Sequence, residues 1–176
     1  ALIYITQKQY SQALENLAVA KKIALKFKDD ESLVRILNAI GSCLDYTDKS
    51  EEANTCFKEA LQISERLKNE SLIATSLTNL GENYLFLDRI VEAEKTLLKC
   101  VGVKTRLGNP VSLGVSEIAL AQAYYKGLKF TKAIEYFNKG LARVKEAGYK
   151  EYQKSALEGL AASYGKNGNF KSAYYN

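Results

Sequence analysis

Histidine and methionine are absent from the 176 residues, proline occurs once and glycine eleven times. Without histidine there is no Ser-His-Asp or Cys-His nucleophilic arrangement and no histidine metal ligand. Sheet-rich domains are punctuated by Gly and Pro turns, so the shortage of both favours long helices. No uncharged apolar run approaches the ~18–20 residues that a membrane-spanning helix needs. Cysteine is sparse: Cys43, Cys56 and Cys100 fall at unrelated spacings with no C-x-x-C pair, which gives no support to a zinc ribbon or a thioredoxin-like site. They read as small apolar side chains in a reducing compartment, so the expected location is cytoplasmic. What is present is ordinary for a soluble globular protein: 47% apolar and 26% charged residues, which argues against disorder. The chain starts at Ala1, and the reading is that of a fragment of a larger protein.

A period of forty residues runs through the whole chain. From Ala13, steps of forty reach Ala53, Ala93, Ala133 and Ala173. Nine residues before each anchor stand Tyr4, Leu44, Tyr84, Tyr124 and Tyr164, and twelve before stand Ala1, Gly41, Gly81, Ala121 and Ala161. Four after come Leu17, Phe57, Leu97 and Phe137, and seven after come Ala20, Ala60, Cys100 and Gly140. Self-similarity of this kind is the mark of a repeat architecture.

Within each period the apolar spacing is three or four residues, which is helical. Ala53, Cys56, Phe57, Ala60 and Leu61 fall on one stripe, and Leu77, Leu80, Gly81, Tyr84 and Leu87 on another. Each unit is therefore expected to be a pair of amphipathic helices. The small columns mark close helix crossings, and the large ones fill the space between successive pairs. One pair cannot bury its apolar stripe alone, whereas stacked neighbours can. The predicted fold is all-α, an α-α superhelix of antiparallel hairpins forming a single array. Its expected repeats are 1–28 (truncated at its start, with a first helix of about seven residues), 31–68, 70–107, 110–147 and 150–176 (truncated at its end). Asn109-Pro110 reads as a helix start, with Asn as the cap. Asn69-Glu70-Ser71 has the form of a glycosylation sequon but reads better as a capping turn.

The recurring pattern resembles the tetratricopeptide repeat family. The carrying residues are Ile40-Gly41, Leu44, Ala53, Phe57 and Ala60, then Leu80-Gly81, Tyr84, Ala93, Leu97 and Cys100, then Leu120-Ala121, Tyr124, Ala133, Phe137 and Gly140. There are departures: the period is 40 rather than the family's 34, no early aromatic precedes Leu-Gly in the first helix, and the closing proline is missing. The longer period is similar to that of arrays in cell-polarity scaffolds and in bacterial signalling and regulatory proteins.

The resemblance implies that the first helix of each unit lines an inner, concave wall that binds partners. The candidate partner-binding residues are then Arg35, Asn38, Ser42, Asp45 and Tyr46, followed by Thr75, Thr78, Glu82, Leu85 and Phe86. Val115, Ile118, Gln122, Tyr125 and Lys126 continue the wall, and Ser155, Glu158 and Lys166 close it. Chaperone-binding members of the family grip a terminal carboxylate with Lys and Asn at two inner columns. Those columns here hold Asn38 with Ser42, Thr78 with Glu82, and Ile118 with Gln122, so the clamp is absent. A wall mixing aromatic and acidic groups suits an internal peptide segment or a partner helix.

Other chemistry finds little support. Gly165 to Ser172 superficially resembles a phosphate loop, but Phe170 stands where glycine must precede the Lys-Ser pair. Paired acids such as Asp29-Asp30 and Glu51-Glu52 fall at helix starts, where negative charge suits the dipole. The net charge of +5 includes Lys21, Lys22, Lys26 and Lys28, which splay around a helix axis as a solvated face. The expectation is a non-catalytic protein- or peptide-binding module, the sensory or scaffolding part of a larger, bacterial signalling protein. No cofactor, metal or membrane span is expected, although an enzymatic output domain could lie elsewhere in the full chain. The incomplete terminal repeats are candidates for self-association. The alternative is a nucleic-acid-binding helical repeat.

Overall fold

The computed structural model describes residues 2–168, with side chains from residue 9 onward. Ala1, the anchor Ala173 and the Asn169–Ser172 stretch lie outside the described residues, as does the Tyr4 side chain. Among the described residues there are eight α-helices: α1 (Leu2–Phe27), α2 (Asp30–Asp45), α3 (Ser50–Leu67), α4 (Glu70–Phe86), α5 (Ile90–Leu107), α6 (Pro110–Lys126), α7 (Phe130–Glu146) and α8 (Lys150–Lys166).

The helix ends follow from local chemistry. Asp29, Asn69 and Asn109 cap α2, α4 and α6 by accepting from the backbone N–H groups of Ser32 (3.0 Å), Leu72 (3.2 Å) and Ser112 (2.9 Å). The hydrogen bonds from Ser32 hold the Asp29 carboxyl below its ordinary range. Pro110 occupies the first turn of α6, where its missing N–H is harmless. Two series of left-handed residues also recur every forty positions. Lys28, Lys68, Gly108 and Gly148 close one turn of each period, and Asp48, Asp88, Leu128 and Gly168 close the other. The position forty before Asp48 is Lys8, and there the chain does not turn. The short first helix expected to end near residue 7 is instead the start of α1, which continues unbroken to Phe27. Gln7, Lys8, Gln9 and Gln12 are helix-compatible, and the segment has no glycine or proline to stop it.

The chain divides into two compact units, residues 1–88 and 89–176. In the first, α2 and α3 form a central hairpin, with α1 against α2 and α4 against both α2 and α3. Its core gathers Ala24, Leu33, Val34, Leu37, Ala60, Ile63 and Leu72. The second is built alike: α6 and α7 form the hairpin, α5 lies on α6, and α8 packs against both α6 and α7. The anchors Ala53, Ala93 and Ala133 are fully buried.

Two crossings show why the small residues are needed. In α2, a Cβ on Gly41 would stand 2.5 Å from the Phe57 ring, so the absence of a side chain there admits the ring. In the second unit Gly114 and Gly140 face each other. A Cβ on Gly140 would lie 2.6 Å from Ile118 Cγ1 and 2.7 Å from the Gly114 carbonyl oxygen. Phe57 and Phe137 are the largest fully buried side chains of their units. Burying each contributes about 1.5–3 kcal/mol. On the outside, α1 leaves Val19, Ile23, Leu25 and Phe27 exposed.

Candidate functional site

In the first unit the packing of α2 beside α4 leaves a cleft of about 240 Å³ between them. It is lined by Ser42, Asp45 and Tyr46 from α2 and its C-cap, Asn79, Glu82 and Phe86 from α4, and Phe57 from α3. Helical spacing of three and four residues puts each set on one face. Phe57 is buried and forms the floor that Gly41 makes possible. Tyr46 and Phe86 flank the cleft and are 69% and 65% exposed. The Tyr46 ring is held by stacking on Tyr10, with centroids 4.9 Å apart and planes 4° from parallel.

A buried polar network fixes the two walls. Asn38 Nδ2 donates to the Val34 carbonyl (3.1 Å) and to Ser76 Oγ (3.0 Å), and its Oδ1 accepts from Asn79 Nδ2 at 2.9 Å. Deeper along α4, Asn83 Nδ2 donates to Asp45 Oδ1 (2.9 Å) and to the Ser50 carbonyl (3.0 Å), while its Oδ1 accepts from Asn54 Nδ2 at 2.7 Å. Burial pushes the Asp45 carboxyl up from its ordinary range, and the Asn83 amide and Ser50 hydroxyl pull the other way. Each amide is satisfied in this way, and the network ties α4 to α2 and α3.

The expected wall residues are thus sorted by the structure. Ser42, Asp45, Tyr46, Glu82 and Phe86 meet in one cleft. Arg35 and Thr75 are exposed nearer the helix starts, Arg35 beside Glu31 at 4.0 Å and Thr75 with its hydroxyl on the Ser71 carbonyl. Thr78 is half-buried and donates back to the Ala74 carbonyl. Three positions are corrected. Asn38 (6% exposed) cross-links α2 to α4, Leu85 (8%) is part of the core, and Ile118 (2%) is wedged at the Gly140 crossing. None of the three offers a surface to a partner. Phe57 and Asn79 line the cleft although neither stood among the expected wall residues. The signal for Asn79 was a polar residue beside the Leu77–Leu80 stripe, 41 residues from Asn38.

In the second unit, Gln122 Nε2 on α6 donates to Ser155 Oγ on α8 at 3.2 Å. Tyr125 is half-buried and tilted 59° against Phe130, with centroids 5.7 Å apart. Val115 is half-buried, whereas Lys126, Glu158 and Lys166 are exposed, with Lys154 3.9 Å from Glu158. Glu117 is buried and accepts from Arg143 Nε at 2.9 Å. Burial raises its carboxyl above the ordinary range, and Arg143 opposes the rise. The three cysteines are free, Cys43 and Cys56 with thiols pushed up by burial. Among the described residues no three His, Cys, Asp or Glu side chains gather as a metal site, and no helix is long and apolar enough to cross a membrane.

No curated protein matches the sequence. The tetratricopeptide repeat pattern matches residues 33–106, from α2 to the end of α5. Residues 33–106 are thus tetratricopeptide repeats. Solved structures agree on the fold over nearly the full length of the chain. A kinesin-light-chain protein of Podosopora anserina with nearly identical TPR-like repeats is 18% identical with a TM-score of 0.79, covering 98% of this chain and 87% of that one. BtubC (BKLC) from P. vanneervenii is 16% identical with a TM-score of 0.74, covering 99% of this chain and 87% of that one. A Rap protein complexed with competence and sporulation factor is 14% identical with a TM-score of 0.78, covering 97% of this chain and 47% of that one. Tetratricopeptide repeats are in general protein-interaction modules and typically non-catalytic. In the terms of the repeat, α2 and α4 are first helices, and the cleft of the first unit lies between them.

Proposed function

We propose that the chain is a non-catalytic binding module for an extended protein segment, and that the segment engages the first-helix cleft of the first unit. What carries this reading is the cleft itself: two largely exposed aromatic rings, Tyr46 and Phe86, stand over a floor of Phe57 between polar walls. Exposed aromatics beside a recess are the side chains on which binding energy concentrates, and the Asn38–Asn79 and Asn83–Asp45 hydrogen bonds keep the recess open before a partner arrives. The likeness to a Rap protein complexed with a factor is in keeping with a signalling role, as the sensory or scaffolding part of a larger protein, and the three free thiols suit a cytoplasmic one.

The test selects binders from a random twelve-residue peptide library displayed on phage, with the whole chain as target. The selected peptides are then measured against a variant carrying Tyr46→Ser and Phe86→Ser. The expected result is unchanged helicity with binding lost. Binding that survives the double change overturns the reading, and global unfolding would assign the rings to the core instead.

The nucleic-acid alternative has one observation in its favour: residues 89–176 contain fifteen basic and seven acidic side chains. Several of those bases are already paired, as in Lys129–Glu94 (2.6 Å), Lys139–Glu135 (2.6 Å) and Arg143–Glu117 (2.9 Å). This alternative requires binding at low salt that falls steeply as salt rises. Absence of any association with single- or double-stranded RNA or DNA at low salt removes it.

A further inference from the structure

Charge is divided unequally along the chain. Residues 1–88 hold ten basic and thirteen acidic side chains, a net of −3, whereas residues 89–176 hold fifteen and seven, a net of +8. The overall +5 therefore conceals an acidic first unit. Within that unit Phe86 stands between two recesses. On one side is the cleft described above, whose lining includes Asp45 and Glu82 and no basic side chain. On the other is a recess of about 380 Å³ lined by Asp48, Lys49, Ser50, Glu51, Glu52 and Leu87 as well as Phe86. The lone base of that second recess, Lys49, lies 4.0 Å from Glu52. Ser50 is 6% exposed, and its hydroxyl reaches no partner at hydrogen-bonding geometry, although it is near enough to favour the ionised Asp45 carboxyl.

We propose that the Phe86 site receives the guanidinium group of an arginine from the bound segment, seated between the Tyr46 and Phe86 rings and directed at Asp45 and Glu82. The proposal rests on the reading that this cleft binds an extended segment, and adds what the segment must contain. A guanidinium is planar and weakly hydrated, stacks on aromatic faces, and forks its donors onto carboxylates. Tyr46 and Phe86 supply the faces. Asp45 is oriented by the Asn83 amide on Oδ1, and a carboxylate has acceptor capacity beyond that one bond. Asp48, Glu51 and Glu52 beyond Phe86 extend the negative potential that draws a cation in. A lysine would gain the charge attraction but neither the fork nor the stacking plane. An acidic segment would meet like charge on both sides of Phe86.

The experiment repeats the library selection on the whole chain and on the double variant Asp45→Asn, Glu82→Gln, with helicity recorded for both. The substitutions keep shape and one acceptor oxygen while replacing the other with an NH2 donor, and Glu82 is exposed, so Glu82→Gln alone is the variant least able to disturb folding. The expected outcome is arginine enriched at one fixed peptide position on the natural chain, above lysine, with the enrichment lost on the double variant. An arginine peptide so selected should bind the double variant about tenfold more weakly, with Glu82→Gln giving part of that loss. Selected peptides without basic enrichment, or enrichment that persists on the double variant, overturn the proposal. In that case, peptides that still require Tyr46 and Phe86 leave the binding reading standing, whereas peptides indifferent to both rings overturn the two together.

Discussion

Gly140→Ala adds one methyl group where α7 lies against Gly114 and Ile118 of α6. In an exposed helix the change is favourable, because alanine exceeds glycine in helix propensity by about 1 kcal/mol. Here the new carbon would lie 2.7 Å from the Gly114 carbonyl oxygen, 3.1 Å from the Ile118 nitrogen and 2.6 Å from Ile118 Cγ1. Two of those obstacles are backbone, so no side-chain rotation relieves them and the hairpin must part. Overpacking of this kind costs about 1–3 kcal/mol and occasionally more. Against the propensity gain, the expected result is a net loss of about 1–2 kcal/mol. Gly102→Ala is the internal control. Gly102 lies inside α5 with nothing within 4 Å of its would-be Cβ, so the same methyl should stabilise by about 0.5–1 kcal/mol. Urea denaturation followed by helical circular dichroism gives the two midpoints. Hydrogen exchange of the α6 and α7 amides shows whether the loss arises at the crossing, which matters because repeat arrays need not unfold in one step. If Gly140→Ala stabilises as much as Gly102→Ala, the crossing is not held by small residues and the packing argument fails.

Other outcomes follow from the same geometry. Asn83→Ala removes the side chain that joins Asp45, Ser50 and Asn54, leaving buried polar groups unmatched. A loss of about 1–3 kcal/mol is expected, and a neutral result in denaturation would contradict the network. Asn69→Ala deletes the cap of α4 and should cost about 0.5–2 kcal/mol, read as a lower urea midpoint, whereas no change would mean that the 3.2 Å bond to Leu72 does not support the helix. Burial raises the Glu117 carboxyl in the folded chain, so the folded state keeps its proton to higher pH than the unfolded state does. Its contribution to stability therefore falls as pH rises from the ordinary glutamate value of 4.5 through the raised one. The stability of the natural chain relative to Glu117→Gln should decline across that window and then level off, and a difference that grows with pH would refute the assignment.

The repeat was legible because packing forces one residue type onto equivalent positions: Ala53, Ala93 and Ala133 are fully buried in their units. The caps were legible too, since Asn69 and Asn109 act through their own side chains on residues three positions away. The turns were legible in position but not in conformation. Lys68 with Gly108, and Asp88 with Leu128, adopt the same left-handed geometry at equivalent positions with unlike side chains, so the surrounding helices impose the turn and propensity does not. The continuity of α1 is not legible, because the column that turns at Asp48, Asp88 and Leu128 holds Lys8, where the chain stays helical. Exposure along the first helices was legible only in part. Tyr46 and Phe86 lie off the packing stripe and are exposed. Asn38 and Ile118 were misplaced because a first helix packs against neighbours on several sides. In α6 every residue from Ser116 to Ala121 is buried, which erases the amphipathic contrast that sequence reading depends on. Phe57 could not be assigned to the cleft from its own helix, since it reaches the floor only through the space left at Gly41 on another.

The most direct test of the account places a photoreactive p-benzoylphenylalanine at position 86, in the first-helix cleft, and separately at position 62, an exposed glutamine on α3 outside it. A library-selected peptide is added to each whole chain and irradiated. The account predicts cross-linking from position 86 and none above background from position 62. Cross-linking from position 62 with none from position 86 would contradict it.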